Sequence, residues 1–320
     1  MWLSIALLAY LINAGVYVAD KFLLSKKIHS SIAYAFYVGL WSFLNIFLLI
    51  FAPWVPSMGE LFLDLSAGLL FLGTLIFWYK ALHQSEATRV VPIVGALVPA
   101  FTFILGFLFL GEELTERQLL AFAILIIGGV LISIKHTKFY EFKMVQERFR
   151  KVFGDSLGGI HAAYRPTQRL IINSVVAAFF FASFYVLAKH IYSTQPFIGG
   201  FVWSRLGSFI GVMLILLVPS WRKLIHEHNH EASRPQNWLL FFTTRALAAG
   251  AFILLNYAIS LGNVALINSL QGAQYIFLFF FVLFLSSRHP KILKEEMGGD
   301  VLFQKIIGAI LVGIGIYMLI

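Results

Sequence analysis

Between Gly73 and Ile134 the chain reads GTLIFWYKALHQSEATRVVPIVGALVPAFTFILGFLFLGEELTERQLLAFAILIIGGVLISI: apolar runs parted only by a short charged segment and a tight acidic turn. Such runs recur from end to end. Many are about 18–22 residues long, the length a helix needs to cross ~30 Å of hydrocarbon. In lipid every backbone N–H and C=O must find a partner within the protein, which leaves helices or closed barrels. Barrel strands would be about ten residues long with alternating polarity, and that alternation is absent. The expected fold is an all-α polytopic membrane protein. Composition agrees: 12% of the residues are charged, where a soluble domain needs about a quarter.

The runs predict ten spans, at about 2–20, 31–51, 64–82, 88–110, 118–135, 168–189, 197–218, 237–261, 264–285 and 302–320. The N-terminal run lacks a basic n-region and a small-residue cleavage site, so it reads as a retained first span. Of the 24 lysines and arginines, four lie within spans (Lys189, Arg205, Arg245 and Lys305). All the others except Arg117 sit in or beside the odd-numbered loops. That bias predicts cytoplasmic odd loops and both termini outside. It also accounts for the net charge of +9 without nucleic acid, because the basic residues flank apolar spans where anionic lipid attracts them. The expected setting is the cell membrane. With no cysteine, disulfides, thiolate metal sites and cysteine nucleophiles are excluded.

The chain also repeats itself. An offset of 177 pairs Gly73 with Gly250, Gly95 with Gly272 and Ala96 with Ala273, without a gap from Gly73 to Leu108. Upstream an offset of 168 pairs Tyr17 with Tyr185, Lys21 with Lys189 and Gly39 with Gly207; downstream 186 pairs Gly129 with Gly315. Matching leucines are cheap in membrane sequence, whereas glycines at a fixed offset are informative. The predicted division is 1–135 and 168–320, five spans each, joined by a basic loop at 136–167. An odd number of spans makes the second half enter the membrane inverted relative to the first. Inverted repeats of this kind build transporters with midplane sites. In the joining loop, Phe139, Phe142, Val145, Phe149 and Val152 fit either an apolar stripe on a surface-lying helix or a solvated linker.

The run ALVPAFTFILGFLFLGEELTERQLLAFAILIIGGVLIS, from Ala96 to Ser133, resembles the fourth and fifth helices of an EamA repeat, of the drug/metabolite transporter superfamily. The Pro99-Ala100-Phe101-Thr102 core, the Gly111-Glu112-Glu113-Leu114-Thr115 turn and the Gly128-Gly129 pair carry the likeness. The resemblance implies a ten-helix, two-repeat carrier of small metabolites whose cavity is lined by the first four helices of each repeat. The second half departs from it, with Ser269 and Ile276 at the positions of Pro92 and Pro99, and a longer SSRHPKILKEEMGGD connection. Members of that family commonly keep both termini in the cytoplasm; the charge bias here gives the opposite orientation.

Arg205 and Arg245 lie within apolar spans, where a charge at the helix centre costs roughly 2.5–3.5 kcal/mol on insertion scales. Two readings stand: a guanidinium fork facing a cavity to hold an anionic substrate group, or a structural tie to backbone carbonyls. Asn256 lies eleven residues from Arg245, close to three turns, and so on the same face. Asn268, Gln271 and Tyr275 share another face, flanked by Gln274. These amides suit either a polar cavity or hydrogen-bonded helix packing. Asn13, Tyr17, Tyr37, Trp41 and Trp203 lie deeper than an interfacial belt, which better explains Tyr34 and Tyr79. An aromatic wall beside an amide-and-arginine wall suits an amphipathic zwitterion. Pro92 and Pro99 are candidate hinge positions in the fourth span, since each removes a helical hydrogen bond.

Carboxylates available for proton coupling are few. Asp20, Asp64 and Glu86 are all placed near an interface by the span boundaries, and Thr115 is placed as a helix cap. His226, His228 and His230 fit a polar loop as well as a metal site, and no cofactor or resident metal is expected. Gly207 and Gly211 form a small-xxx-small pattern for close packing within one chain or between two, leaving monomer and homodimer open. No Walker or dinucleotide motif is apparent. The sequence thus predicts a secondary transporter for a small polar metabolite, such as an amino acid, with export as the expected direction. A flippase for a lipid-linked sugar or phosphate is the alternative. A membrane-embedded scaffold or enzyme is the third reading, disfavoured because no nucleophile–base pair or metal cluster is present.

Overall fold

A computed structural model of the chain describes residues 1–23, 31–84, 87–133, 168–231, 238–288 and 299–320. The helices are α1 (Trp2–Leu23), α2 (Ser31–Trp41), α3 (Met58–Gln84), α4 (Ala87–Leu110), α5 (Glu116–Ser133), α6 (Gln168–Thr194), α7 (Phe197–Leu216), α8 (Pro219–Glu231), α9 (Trp238–Leu261), α10 (Val264–Ser269), α11 (Gln271–Arg288) and α12 (Gly299–Leu319). No strand occurs among the described residues. Eight of the stretches are long and apolar enough to cross a membrane. Two shorter apolar stretches, Ala35–Ile50 and Phe303–Leu319, correspond to the second and tenth expected spans.

Local chemistry explains where the boundaries differ from the sequence reading. Ser57 and Glu60 form a reciprocal capping box: the Ser57 N–H donates to Glu60 Oε2 at 2.7 Å and the Glu60 N–H to Ser57 Oγ at 3.4 Å. Such a box fixes a helix start, so α3 begins at Met58 and Asp64 lies well inside it. The second span is not uniform, since α2 tightens into a 3-10 helix over Ser42–Ile50. The ninth is interrupted at Leu270, where α10 ends and α11 begins. Thr115 acts as a cap as expected, exchanging hydrogen bonds with Gln118. Gly111 ends α4 at φ +63°, the left-handed conformation that glycine adopts without strain. The histidines at 226, 228 and 230 fall on α8, a helix where a loop is expected. The stripe from Phe139 to Val152 lies outside the described residues.

The two halves of the chain interlock. α3 packs on α6 and α7, α1 on α9 and α11, α4 on α6, and α5 on α12. Small residues set the closest crossings. A Cβ built on Gly68 would lie 2.1 Å from the Ser204 carbonyl oxygen, and one on Gly207 would lie 2.5 Å from that of Leu65. The Ser208 hydroxyl donates to the Gly68 carbonyl across the same crossing, at 2.9 Å. The Gly207–Gly211 pattern therefore packs α7 on α3 within one chain. Gly128 and Gly308 play the same part between α5 and α12, where a Cβ on either would lie 2.9 Å from the other's carbonyl oxygen.

Candidate functional site

Long helices that cross at glycines bring their mid-sections near one another, and the polar side chains in those mid-sections must then be satisfied without water. Arg205 of α7 is 6% exposed. Its Nη2 donates to Ser42 Oγ at 2.7 Å, and its guanidinium carbon lies 4.1 Å from the Phe71 ring centroid and 5.0 Å from that of Phe252. Aromatic faces attract a cation by roughly 0.5–2 kcal/mol each, most when water is excluded. Nη1 has no hydrogen-bond partner among the described residues. One edge of the fork is thus held by the protein, while the other retains unused donor capacity.

Around this cation stand the hydroxyls and amides of the second half. The Tyr192 hydroxyl donates to Asn256 Oδ1 at 3.0 Å, and Asn256 Nδ2 donates to the Phe252 carbonyl at 2.9 Å. The Phe252 ring that supports Arg205 is therefore on the same turn that anchors Asn256. Tyr192 interacts electrostatically with both Arg205 and Asp64, and Tyr185 with Arg205 and Tyr17. Asp64 of α3 is 0% exposed and accepts from Gln195 Nε2 at 3.1 Å. Three buried hydrogen-bonded pairs stand here, Asp64–Gln195, Tyr192–Asn256 and Arg205–Ser42, and the first and third cross between the halves.

Other expected site residues are distributed around this centre. Tyr275 of α11 is buried, and its hydroxyl lies 2.7 Å from where a Cβ on Gly95 would stand, with Gln271 Oε1 at 3.7 Å. Asn268, on the short α10, returns its amide to the Val264 carbonyl at 3.0 Å. Tyr10 and Tyr17 are seven residues apart and so lie on one face of α1. The Tyr10 hydroxyl donates to the Ile267 carbonyl at 3.0 Å, which turns that face inward. Tyr17 contacts Gln274 by its hydroxyl, yet it is 44% exposed where Tyr10 is 4%. The two tyrosines of this face thus differ, Tyr10 being enclosed and Tyr17 partly accessible. Arg245 and Asn13 are partly buried, Tyr37 packs edge-on against Phe36, and Trp41 is 56% exposed. Trp203 donates its ring N–H to the Trp54 carbonyl at 3.1 Å, joining α7 to the connection before α3. α4 runs unbroken through Pro92 and Pro99, with the Thr102 hydroxyl bonding back to the Val98 and Pro99 carbonyls. Among the described residues no group of His, Cys, Asp and Glu is arranged to hold a metal ion.

One end of the bundle is held by hydrogen bonds both between the halves and within the second half. There Glu112 of the acidic turn accepts from the Val264 N–H at 3.1 Å, and burial pushes its carboxyl above the usual carboxylate range. Lys189 extends to the Ser260 and Gly262 carbonyls at 3.2 and 2.9 Å. Trp2 lies against Gly262 and Trp54 against Gly199. The N-terminus and the even-numbered connections therefore share this end. At the other end, among the described residues, the halves are joined by Asn173 to Gln84 Oε1 at 3.0 Å and Gln304 to the Leu131 carbonyl at 2.7 Å.

Comparison with known proteins attaches a family to half of this assembly. Residues 1–134 match the EamA-like transporter family. The match covers the half that carries the proline pair, the acidic turn and Gly128-Gly129. The chain is also similar to an uncharacterised protein of Methanocaldococcus jannaschii, at 40% identity over 72 residues, 22% of this chain and 51% of that protein. It spans about half the length of that relative. A protein known from a crystal structure shares the fold at a TM-score of 0.65 and 14% identity, over 99% of this chain and 97% of that one. The EamA match stops at residue 134, whereas the shared fold continues through the second half, where Arg205, Asn256 and Tyr275 lie.

Sequence reasoning had found Arg205, Asn256 and Tyr275 but not Tyr10, Tyr185, Tyr192 or Gln195, and it placed Asp64 at an interface. Two signals were present. Tyr185 is the repeat partner of Tyr17, already identified as a deep aromatic, and Ser57-x-x-Glu60 marks the true start of α3.

Proposed function

We propose that the chain is a secondary transporter of the drug/metabolite superfamily rather than an enzyme, moving a small polar metabolite with an anionic group, such as an amino acid, by alternating access. The observation that carries this reading is Arg205, a buried guanidinium with one edge bound to Ser42 and an unused N–H on the other, clasped by Phe71 and Phe252. Such a fork matches a carboxylate, and the rings and tyrosines beside it suit the apolar part of an amphipathic solute. Export is the direction the family resemblance favours.

Packing between the halves supports two inverted five-span repeats as the moving bodies. Exchanging the halves turns the α3–α6 contact into α9–α1, and the α4–α6 contact into α1 with the α10–α11 pair, and α1 does pack on α9 and α11. Closure at Tyr10 and exposure at Tyr17 support a conformation open away from the termini. With the charge bias placing the odd loops in the cytoplasm, this is the inward-facing state in the cell membrane. The test is counterflow in proteoliposomes loaded with labelled amino acids and other small carboxylates. Loss of one charge-assisted hydrogen bond is worth roughly 1.5–3 kcal/mol, so Arg205→Ala should weaken apparent affinity about 10- to 100-fold. Normal counterflow in that variant would remove Arg205 from the site. Movement of a lipid-linked phosphate, with no soluble solute carried, would favour a flippase instead.

A further inference from the structure

Asp64 has no part in holding the solute, yet it is a fully buried carboxyl at the seam between the halves. It is 0% exposed, and its partner Gln195 is 6% exposed. Gln195 Nε2 donates to Asp64 Oδ1 at 3.1 Å. The other two oxygens of this pair, Asp64 Oδ2 and Gln195 Oε1, are both buried, and neither has a hydrogen-bond partner among the described residues. Oε1 is an acceptor, and so is Oδ2 of an ionised carboxyl. Leaving a buried polar atom unsatisfied costs about 1–3 kcal/mol, more when it is charged. One proton placed on Oδ2 turns it into a donor, and the unpartnered acceptor Gln195 Oε1 belongs to the side chain to which Asp64 is already hydrogen-bonded. The pair then closes as a carboxylic acid–carboxamide dimer, with two antiparallel hydrogen bonds in place of one.

We propose that Asp64 is a proton-binding site, and that the protonated Asp64–Gln195 pair is the lock that joins the two halves at the end carrying the termini. When the proton leaves for water, two acceptors face each other across the seam, and the lock opens. The surroundings fit this assignment. Glu60, four residues before Asp64 on α3, is on the same helix face and carries a like charge. Tyr192 on α6 interacts with Asp64 and can only donate elsewhere, since its hydroxyl already serves Asn256. The positive charge on α7, Arg205, is engaged by Ser42 and two rings. α2 carries no charged residue, and the one charge on α4, Arg89, lies at its opposite end. The consequence for transport rests on the carrier reading: because protonation closes this end and deprotonation opens it, pH sets which access state the carrier rests in.

The full-length protein in nanodiscs tests this without a known solute, the proton itself being the probe. Because the chain has no cysteine, spin labels can be placed at Val55→Cys and Ser193→Cys, exposed positions on either side of the seam. The expected result is a label separation that lengthens as pH rises, together with loss of a protonated-carboxyl infrared band. Asp64→Asn offers the same donor and acceptor as the protonated acid. It should abolish the infrared change and hold the labels at the short separation at every pH. A wild-type protein with no pH-dependent carboxyl band, or a variant that keeps both changes, would overturn the proposal. Neither readout depends on transport, so a failed solute screen would count against the carrier reading and leave the proton site standing.

Discussion

Arg205 is a buried cation whose cost to the fold can be measured apart from the substrate role proposed for it. Removing a cation from water costs several kcal/mol, and buried ionic groups replaced by apolar ones of similar volume often leave stability unchanged or raise it by about 1–4 kcal/mol. Arg205→Met should therefore keep or raise the melting temperature in detergent while weakening apparent affinity in counterflow about 10- to 100-fold, as for Arg205→Ala. A purely structural tie would instead show a clear loss of stability. Glu112 offers a contrasting case at the membrane edge. Burial raises its folded-state pKa above the ordinary 4.5, so the folded chain binds more protons than the unfolded one above that value. Its contribution to stability is complete below pH 4.5 and is lost as pH rises through the raised folded value. Glu112→Gln retains an acceptor for the Val264 N–H and should flatten that part of the pH–stability profile, measured as melting temperature between pH 4 and 8. The arginine was legible in the sequence because a charge inside an apolar run stands out. Gln195 was not, because an amide at the end of a span resembles any loop residue until the opposing helix is in place.

At the scale of elements, glycine decides which helices meet. A Cβ on Gly207 would stand 2.5 Å from the Leu65 carbonyl oxygen, so α7 would have to withdraw from α3. Overpacking of this kind costs typically about 1–3 kcal/mol. Gly207→Ala should lower the melting temperature measurably, whereas Gly313→Ala, with nothing within 4 Å, should be neutral or slightly stabilising. The apolar runs reveal most of the helices in the sequence, because hydrocarbon leaves the backbone no alternative. The start of α3 was misplaced because Glu60 and Asp64 interrupt the apolar residues of its first two turns, while the capping box that begins the helix is polar. The interruption at Leu270 was invisible for a different reason: no proline marks it, Gly272 reads as one more small residue of an apolar span, and the Asn263 side chain that caps α10, accepting from the Ala265 and Leu266 N–H groups, resembles a loop asparagine.

At the scale of the whole molecule, the orientation proposed from the charge bias can be tested directly. Cysteines introduced at Val55, in an even-numbered connection, and at Arg222, in an odd one, are both at exposed positions. A membrane-impermeant maleimide applied to intact cells should label the first and spare the second; the reverse pattern would place both termini in the cytoplasm. The α3–α7 crossing then has a mechanical consequence. Gly68 lies ten residues from the start of α3 and sixteen from its end, arms of roughly 15 and 24 Å at the helical rise per residue. Pivoting about that contact makes α3 an unequal lever. Asp64 sits only four residues from the pivot, about 6 Å along the axis, so a small parting there is magnified about fourfold at the far end of the helix.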